Sequence, residues 1–191
     1  MIDAPAPNRF DEGARCFIAL LPDTASIETL LACRQALADG MPGAARRLRW
    51  IDRAALHLTL RFLGAASAPQ QEQLVRTMSD LSRPLHPLVT RRYGIWPNRA
   101  RPRLLVLELA RDAALIEFAD ACESQAQAAG FIPETRPFRA HVTLARLRPG
   151  CAFGQLPAPP PTLAFDSVSL MQSHLTQSAA TYRELHRVRL G

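Results

Sequence analysis

Lysine is missing from this chain of 191 residues, and all 23 of its basic residues are arginine. A mechanism built on lysine, such as a Schiff base or a nucleotidyl-lysine ligase intermediate, is therefore excluded. No run of about 18 apolar residues exists, so no membrane span is expected. The stretch Met1 to Gly13 is acidic, Pro-containing and polar. It lacks the basic start and apolar centre of a secretory signal, so the cytoplasm is the expected location, with residues 1–13 as a flexible tail. Cys16, Cys33, Cys122 and Cys151 lie far apart and form no Cys-x-x-Cys pair. That usage points to free thiols in a reducing compartment rather than disulfides or zinc. A Gly-x-Ser-x-Gly turn is also absent, which argues against a Ser-His-Asp hydrolase.

What is present can fold. At 48% hydrophobic, with a net charge of +6, the chain can bury a core as one domain. Residues 14–21 read as a buried strand ended by Pro22, and a helix follows to about Ala38. A short strand is expected at 48–51, then a strand from Ala55 to Leu63 closed by Gly64. Helices are expected from Ser67 or Ala68 to about Leu81 and from Asp112 to Ala129. Strands are expected at 88–96, 104–109 and 138–147, and a terminal hairpin at 163–174 and 181–190. Two blocks of strand, helix and strand imply an α+β fold from a duplicated unit, a single domain over 14–191.

The chain has five histidines, and two fall in a repeated frame. His57-Leu58-Thr59-Leu60 returns as His141-Val142-Thr143-Leu144, both in strand-like surroundings. Side chains alternate faces in a strand, so each His and its Thr point one way and the apolar residues point toward a core. One such motif alone is more often packing and hydrogen bonding; two in frame reverse that reading. Imidazole, with an ordinary pKa near ~6.5, serves as base or acid at neutral pH. In-line cleavage of a phosphodiester needs both, one on each side of phosphorus. Thr59 and Thr143 can donate to the non-bridging oxygens, and arginine suits the same phosphate. A two-histidine metal site would lack Asp, Glu or Cys at ligand spacing.

The remaining histidines fit elsewhere. His174-Leu175-Thr176 is followed by Gln177 and Ser178, so it reads as a hairpin turn. His86 and His186 read as surface or edge residues. An arginine follows each motif, Arg61 and Arg146, displaced by one residue. The stretch Arg91 to Arg103 holds five arginines with Tyr93 and Trp96 and no acid. It reads equally as a platform for an RNA strand or as a solvated loop with its aromatics tucked inside.

On these motifs the chain resembles the 2H phosphoesterase superfamily, defined by two His-x-Thr-x motifs. Within it, the resemblance is to the bacterial RNA 2′,3′-cyclic phosphodiesterases, also called 2′-5′ RNA ligases. It extends to the opening 15–22, to 56–64, to 136–146 and to the closing 172–182. Cys16, where Leu is more usual, and Ala180, where Gly is usual, depart from the pattern. The resemblance implies two pseudo-symmetric lobes of antiparallel sheet, with outer helices, around a central cleft. It implies hydrolysis of an RNA terminal 2′,3′-cyclic phosphate to a 2′-phosphomonoester, with no cofactor and no metal. His57 would be the general acid on the leaving 3′ oxygen and His141 the general base. Thr59 and Thr143 would hold the phosphate, with Arg146. Strict alternation puts Arg146 on the face opposite His141, so its role requires a strand end or a bulge. Phe62, at the equivalent point of the first repeat, would stack on a base or pack in the core. The expected partners are RNA ends or small cyclic nucleotides, with no membrane, and the chain is expected as a monomer. Two alternatives stay open: 2′-5′ RNA ligation as the main task, and a non-catalytic RNA- or nucleotide-binding module on the same fold.

Overall fold

The computed structural model describes residues 10–40, 47–148, 151, 156–175 and 180–191. Its elements, in chain order, are β1 (Ala14–Pro22), α1 (Thr24–Asp39), β2 (Leu48–Trp50), β3 (Leu58–Ala66) and α2 (Ala68–Thr77). They continue as β4 (Leu88–Trp96), β5 (Leu104–Leu109), α3 (Ala113–Ala128), β6 (His141–Leu147), β7 (Thr162–Leu163), β8 (Phe165–Leu175) and β9 (Ala180–Arg189). Each helix starts where a short polar side chain takes up a free amide. Asp23 accepts from Ser26 N at 2.7 Å and Asp112 from Leu115 N at 2.9 Å, while Ser67 and Gln70 form a capping box.

The strands form one antiparallel sheet in the order β7-β4-β5-β6-β3-β1-β8-β9, with β2 also paired to β6. Two halves meet at β3 and β6, where the only paired positions are Leu58 and Val142. The motif strands thus touch at their His-x-Thr ends. In each half the motif strand pairs with the strand preceding a helix, β3 with β1 and β6 with β5. Leu58, Leu60, Val142 and Leu144 join Leu30 and Leu37 of α1, Leu74 of α2 and Phe118 of α3 in the main buried cluster. A smaller cluster, Phe17, Ala19 and Met171 with Tyr182 packed against it, lies on the other face of β1 and β8.

The α+β architecture expected from the sequence is the one observed. Several expectations change in detail, among them the end of α2 at Thr77 rather than Leu81 and the start of β6 at His141 rather than 138. Residues 53–55 form a 3-10 turn, so β3 begins at Leu58 rather than Ala55. Gly64 does not close that strand: at φ +74° it takes up a register shift, and β3 runs on to Ala66. Of the expected flexible tail, residues 10–13 are packed. Phe10 is buried, the Asp11 carbonyl accepts from Gln71 at 2.8 Å, and Glu12 accepts from Ala68 N at 3.0 Å. Residues 1–9 lie outside the described residues, as does Thr176 of the third His-x-Thr. His174 is exposed near the end of β8, paired across the hairpin with Thr181. No helix among the described residues is long and apolar enough to cross a membrane.

Candidate active site

The two motif histidines are held by the same local device. His57 Nδ1 lies 2.8 Å from the Ala55 carbonyl, and His141 Nδ1 lies 2.7 Å from the Arg139 carbonyl. In each case the partner is two residues upstream. A carbonyl can only accept, so each Nδ1 carries the hydrogen and each Nε2 presents a lone pair. Both carbonyls are themselves on fixed backbone. The 3-10 turn closes Ala55 N onto Asp52 O at 2.9 Å, and Ile51 N just before it bonds the Leu144 carbonyl at 2.9 Å. On the other side Leu109 N bonds the Ala140 carbonyl at 2.9 Å, and Arg111 donates to the Phe138 carbonyl at 2.8 Å.

Two bulges then aim the residues that follow. Along β1 and β3, Ile18 pairs with Arg61 and Ala19 with Thr59, so Leu60 is an extra residue. Along β5 and β6, Leu105 pairs with Ala145 and Val106 with Thr143, so Leu144 is extra. The bulge falls on the fourth residue of each motif. It flips the alternation once, which returns the side chain five residues after each histidine to the histidine's face. Arg146 therefore lines the cleft with His141, by the bulge that strict alternation required. Phe62 occupies the equivalent position beside His57, 53% exposed rather than packed in the core.

The result is a cleft of about 590 Å³ into which His57, Thr59, Phe62, His141, Thr143 and Arg146 all face. Arg61 has a different task. It is buried, ion-paired with Glu123, and donates to the carbonyls of Phe62 and Ile132, the latter at 2.5 Å.

The histidines differ in their surroundings. His57 sits among aromatics, its ring 4.9 Å from Phe17 and 5.3 Å from Tyr182. Burial pushes its pKa down to about 4, against the raising effect of the Ala55 carbonyl, and the charge of His141 lowers it further. Burial lowers His141 too, with a contribution from Arg139, while the Arg139 carbonyl and the Glu108 carboxylate oppose the shift. Glu108 pairs with His141 across β5 and β6. Burial works to raise the Glu108 carboxyl. The Trp96 indole and Arg92, donating at 2.8 and 2.9 Å, prevail with the charge of Arg139 and hold it below the ordinary range.

Trp96 also stacks near His141, centroids 4.4 Å apart, with the Arg139 guanidinium 3.6 Å from the indole centroid. The absent side chain of Gly94 makes this possible. A Cβ there would lie 2.7 Å from Glu108 Oε1 and 3.1 Å from Trp96 Nε1.

Phe17, Tyr182, Trp96 and Glu108 are the site residues that motif reading missed. Phe17 and Tyr182 fall in the resembling segments 15–22 and 172–182, whereas for Trp96 and Glu108 the sequence offers period-two alternation alone, which needs the strand pairing to become informative. Tyr93 is buried and Trp96 serves His141, so the aromatics of 91–103 do not form an exposed platform. Among the described residues no group of three His, Cys, Asp or Glu could hold a metal ion.

The same duplication is visible in comparison with known proteins. The family described as "LigT like Phosphoesterase" matches residues 23–106 and again 107–182, the first range holding the His57 motif and the second the His141 motif. The RNA 2′,3′-cyclic phosphodiesterase of Bacillus subtilis is 29% identical over 151 residues, 75% of this chain and 81% of that protein. The Escherichia coli protein of the same name is 31% identical over 137 residues, 69% of this chain and 74% of its own. The crystal structure of E. coli LigT with 3′-AMP superimposes with a TM-score of 0.72 at 29% identity, covering 94% of this chain and 99% of LigT. With fold, motif pair and duplicated match in agreement, the chain belongs to the LigT-like family of 2H phosphoesterases.

Proposed function

We propose that this protein hydrolyses the 2′,3′-cyclic phosphate at an RNA end to a 2′-phosphomonoester by acid/base catalysis between His57 and His141. The observation that carries the reading is the matched pair of imidazoles in one cleft, each with Nδ1 committed to a backbone carbonyl and Nε2 free. His141 is the base. Glu108 stands beside it to stabilise the imidazolium that forms as water loses its proton. His57 is the acid. Its aromatic, desolvated pocket disfavours the imidazolium, so a proton placed there is readily passed to the leaving 3′ oxygen. The anionic substrate supplies the charge that lets His57 hold that proton on binding.

Thr59 and Thr143 donate to the non-bridging oxygens, and Arg146 balances their growing charge in the transition state. Phe62 offers its exposed ring to the terminal base. Each group comes from the chain itself, so the scheme uses no metal or cofactor and one monomer suffices. The names of the relatives support the cyclic phosphate, and LigT with 3′-AMP supports a nucleotide in this cleft. Joining to a 5′-hydroxyl is the same ring opening with that hydroxyl attacking phosphorus in place of water, and bulk water favours hydrolysis.

The test is incubation of EDTA-treated protein with an oligoribonucleotide ending in 2′,3′-cyclic phosphate. The expected product is a 2′-phosphate, and His57→Ala or His141→Ala should lose at least roughly 10² in rate. No turnover by the wild type would overturn the enzyme reading, and full activity in either variant would overturn the two-histidine mechanism.

A further inference from the structure

The bulge at Leu144 has an effect beyond the catalytic pocket. Across three adjacent strands, Leu104 of β5 pairs with Arg146 of β6, and Arg146 pairs with Arg49 of β2. Directly paired residues of an antiparallel sheet project from the same face. Arg146 lines the cleft, so Arg49, which is exposed, projects from that face immediately beyond it. Leu48 and Trp50 on either side project from the other face: Leu48 is buried, and Trp50 receives the Arg34 guanidinium of α1 at 5.2 Å.

Two guanidinium groups stand side by side, and like charges directly opposite each other destabilise a sheet. Among the described residues neither is ion-paired. The surroundings add charge of the same sign. Residues 47–51, 97–107 and 141–150 contain no Asp or Glu. Arg148 N bonds the Arg47 carbonyl at 3.0 Å, and the Arg103 carbonyl accepts from Leu147 N at 2.8 Å, so these three arginines gather at the same corner.

A row of cations starting at the phosphate-facing Arg146 and leaving the cleft fits an anion with regularly repeated charge whose end lies in the cleft. We infer that Arg49, with the arginine corner behind it, binds the backbone phosphates of the RNA chain upstream of the terminal nucleotide. The site is thereby built for oligonucleotide ends rather than free cyclic mononucleotides. This rests on the function proposed above for the cleft and names its substrate more narrowly.

The test compares the wild type, Arg49→Gln, and Arg76→Gln on α2 as a control with the same change of charge. Fluorescence anisotropy measures binding of a labelled octaribonucleotide ending in a 3′-phosphate over a salt series. Turnover is measured separately on an octaribonucleotide cyclic phosphate and on 2′,3′-cyclic AMP. Arg49→Gln should weaken octamer binding about three- to tenfold and reduce the slope of log affinity against log salt by about 0.7. It should lower kcat/KM on the octamer by a like factor while 2′,3′-cyclic AMP turnover stays within about twofold. Unchanged octamer affinity and slope, an equal loss on both substrates, or an equal loss in Arg76→Gln would each overturn the inference. A wild type that turns over neither cyclic phosphate would overturn the proposed function instead, and the binding measurement would still decide the role of Arg49.

Discussion

Glu108 gives His141 a carboxylate neighbour that His57 lacks, an influence set against the larger one of burial. His57 has aromatic neighbours and His141 has a carboxylate. Both imidazoles titrate below their ordinary value, so at neutral pH the free protein holds them largely neutral. The form with one proton on the pair is most populated between His57's value of about 4 and the ordinary histidine value. The profile of kcat/KM should therefore be a bell with its optimum on the acid side of neutrality. Glu108→Gln keeps an acceptor for the Trp96 indole but removes the charge that raises His141. The alkaline limb should then move to lower pH and the bell should narrow, with Trp96 fluorescence unaltered. An alkaline limb that stays in place would show that Glu108 only supports the strand.

At the scale of elements, Arg61 shows how a residue next to a motif can be structural. Its guanidinium joins β3 to Glu123 on α3 and to the Ile132 carbonyl in the loop leading to the second motif. Glu123 in turn accepts from Glu134 N at 3.1 Å. Arg61→Met would leave a partly buried carboxylate and a carbonyl without their charged donor, at a cost of about 2–4 kcal/mol in chemical denaturation. A loss below about 0.5 kcal/mol would mean that water replaces the guanidinium freely.

The sequence made the two motif strands and their shared facing legible, because period-two alternation and apolar flanks state them directly. Arg146 was legible only as a conditional, since a bulge leaves no local mark in a run such as Leu144-Ala145. The bulge is visible only against the partner strand, where Val106 and Leu105 bracket the extra residue. Trp96 and Glu108 were hidden for the same reason: β4 and β5 are ordinary strands until the register brings them to His141. Gly64 misled, since a glycine that ends one strand lets another continue through a bulge.

At the scale of the whole molecule, the site weakens the fold it is built on. An unfolded histidine takes a proton near pH ~6.5, whereas native His57 takes it only near about 4. Between those values the unfolded chain binds more protons, so stability rises with pH across that window and is lost as pH falls through it. His141 acts in the same direction over a smaller span. Glu134, held at about 2 by its hydrogen bonds with Arg136, acts between the ordinary carboxylate value and about 2, largely below that window. Chemical denaturation at pH 7 and pH 4.5 should thus show the wild type losing about 2–3 kcal/mol more than His57→Gln, which cannot titrate there. Equal losses would mean that burial of His57 carries no such penalty. An anion in the cleft reverses the effect by raising both imidazole values, so binding takes up protons. A nucleotide monophosphate such as 3′-AMP should accordingly stabilise the wild type more at pH 5 than at pH 7. That excess should vanish in the His57→Gln, His141→Gln double variant, because the same two protons link the fold to its ligand.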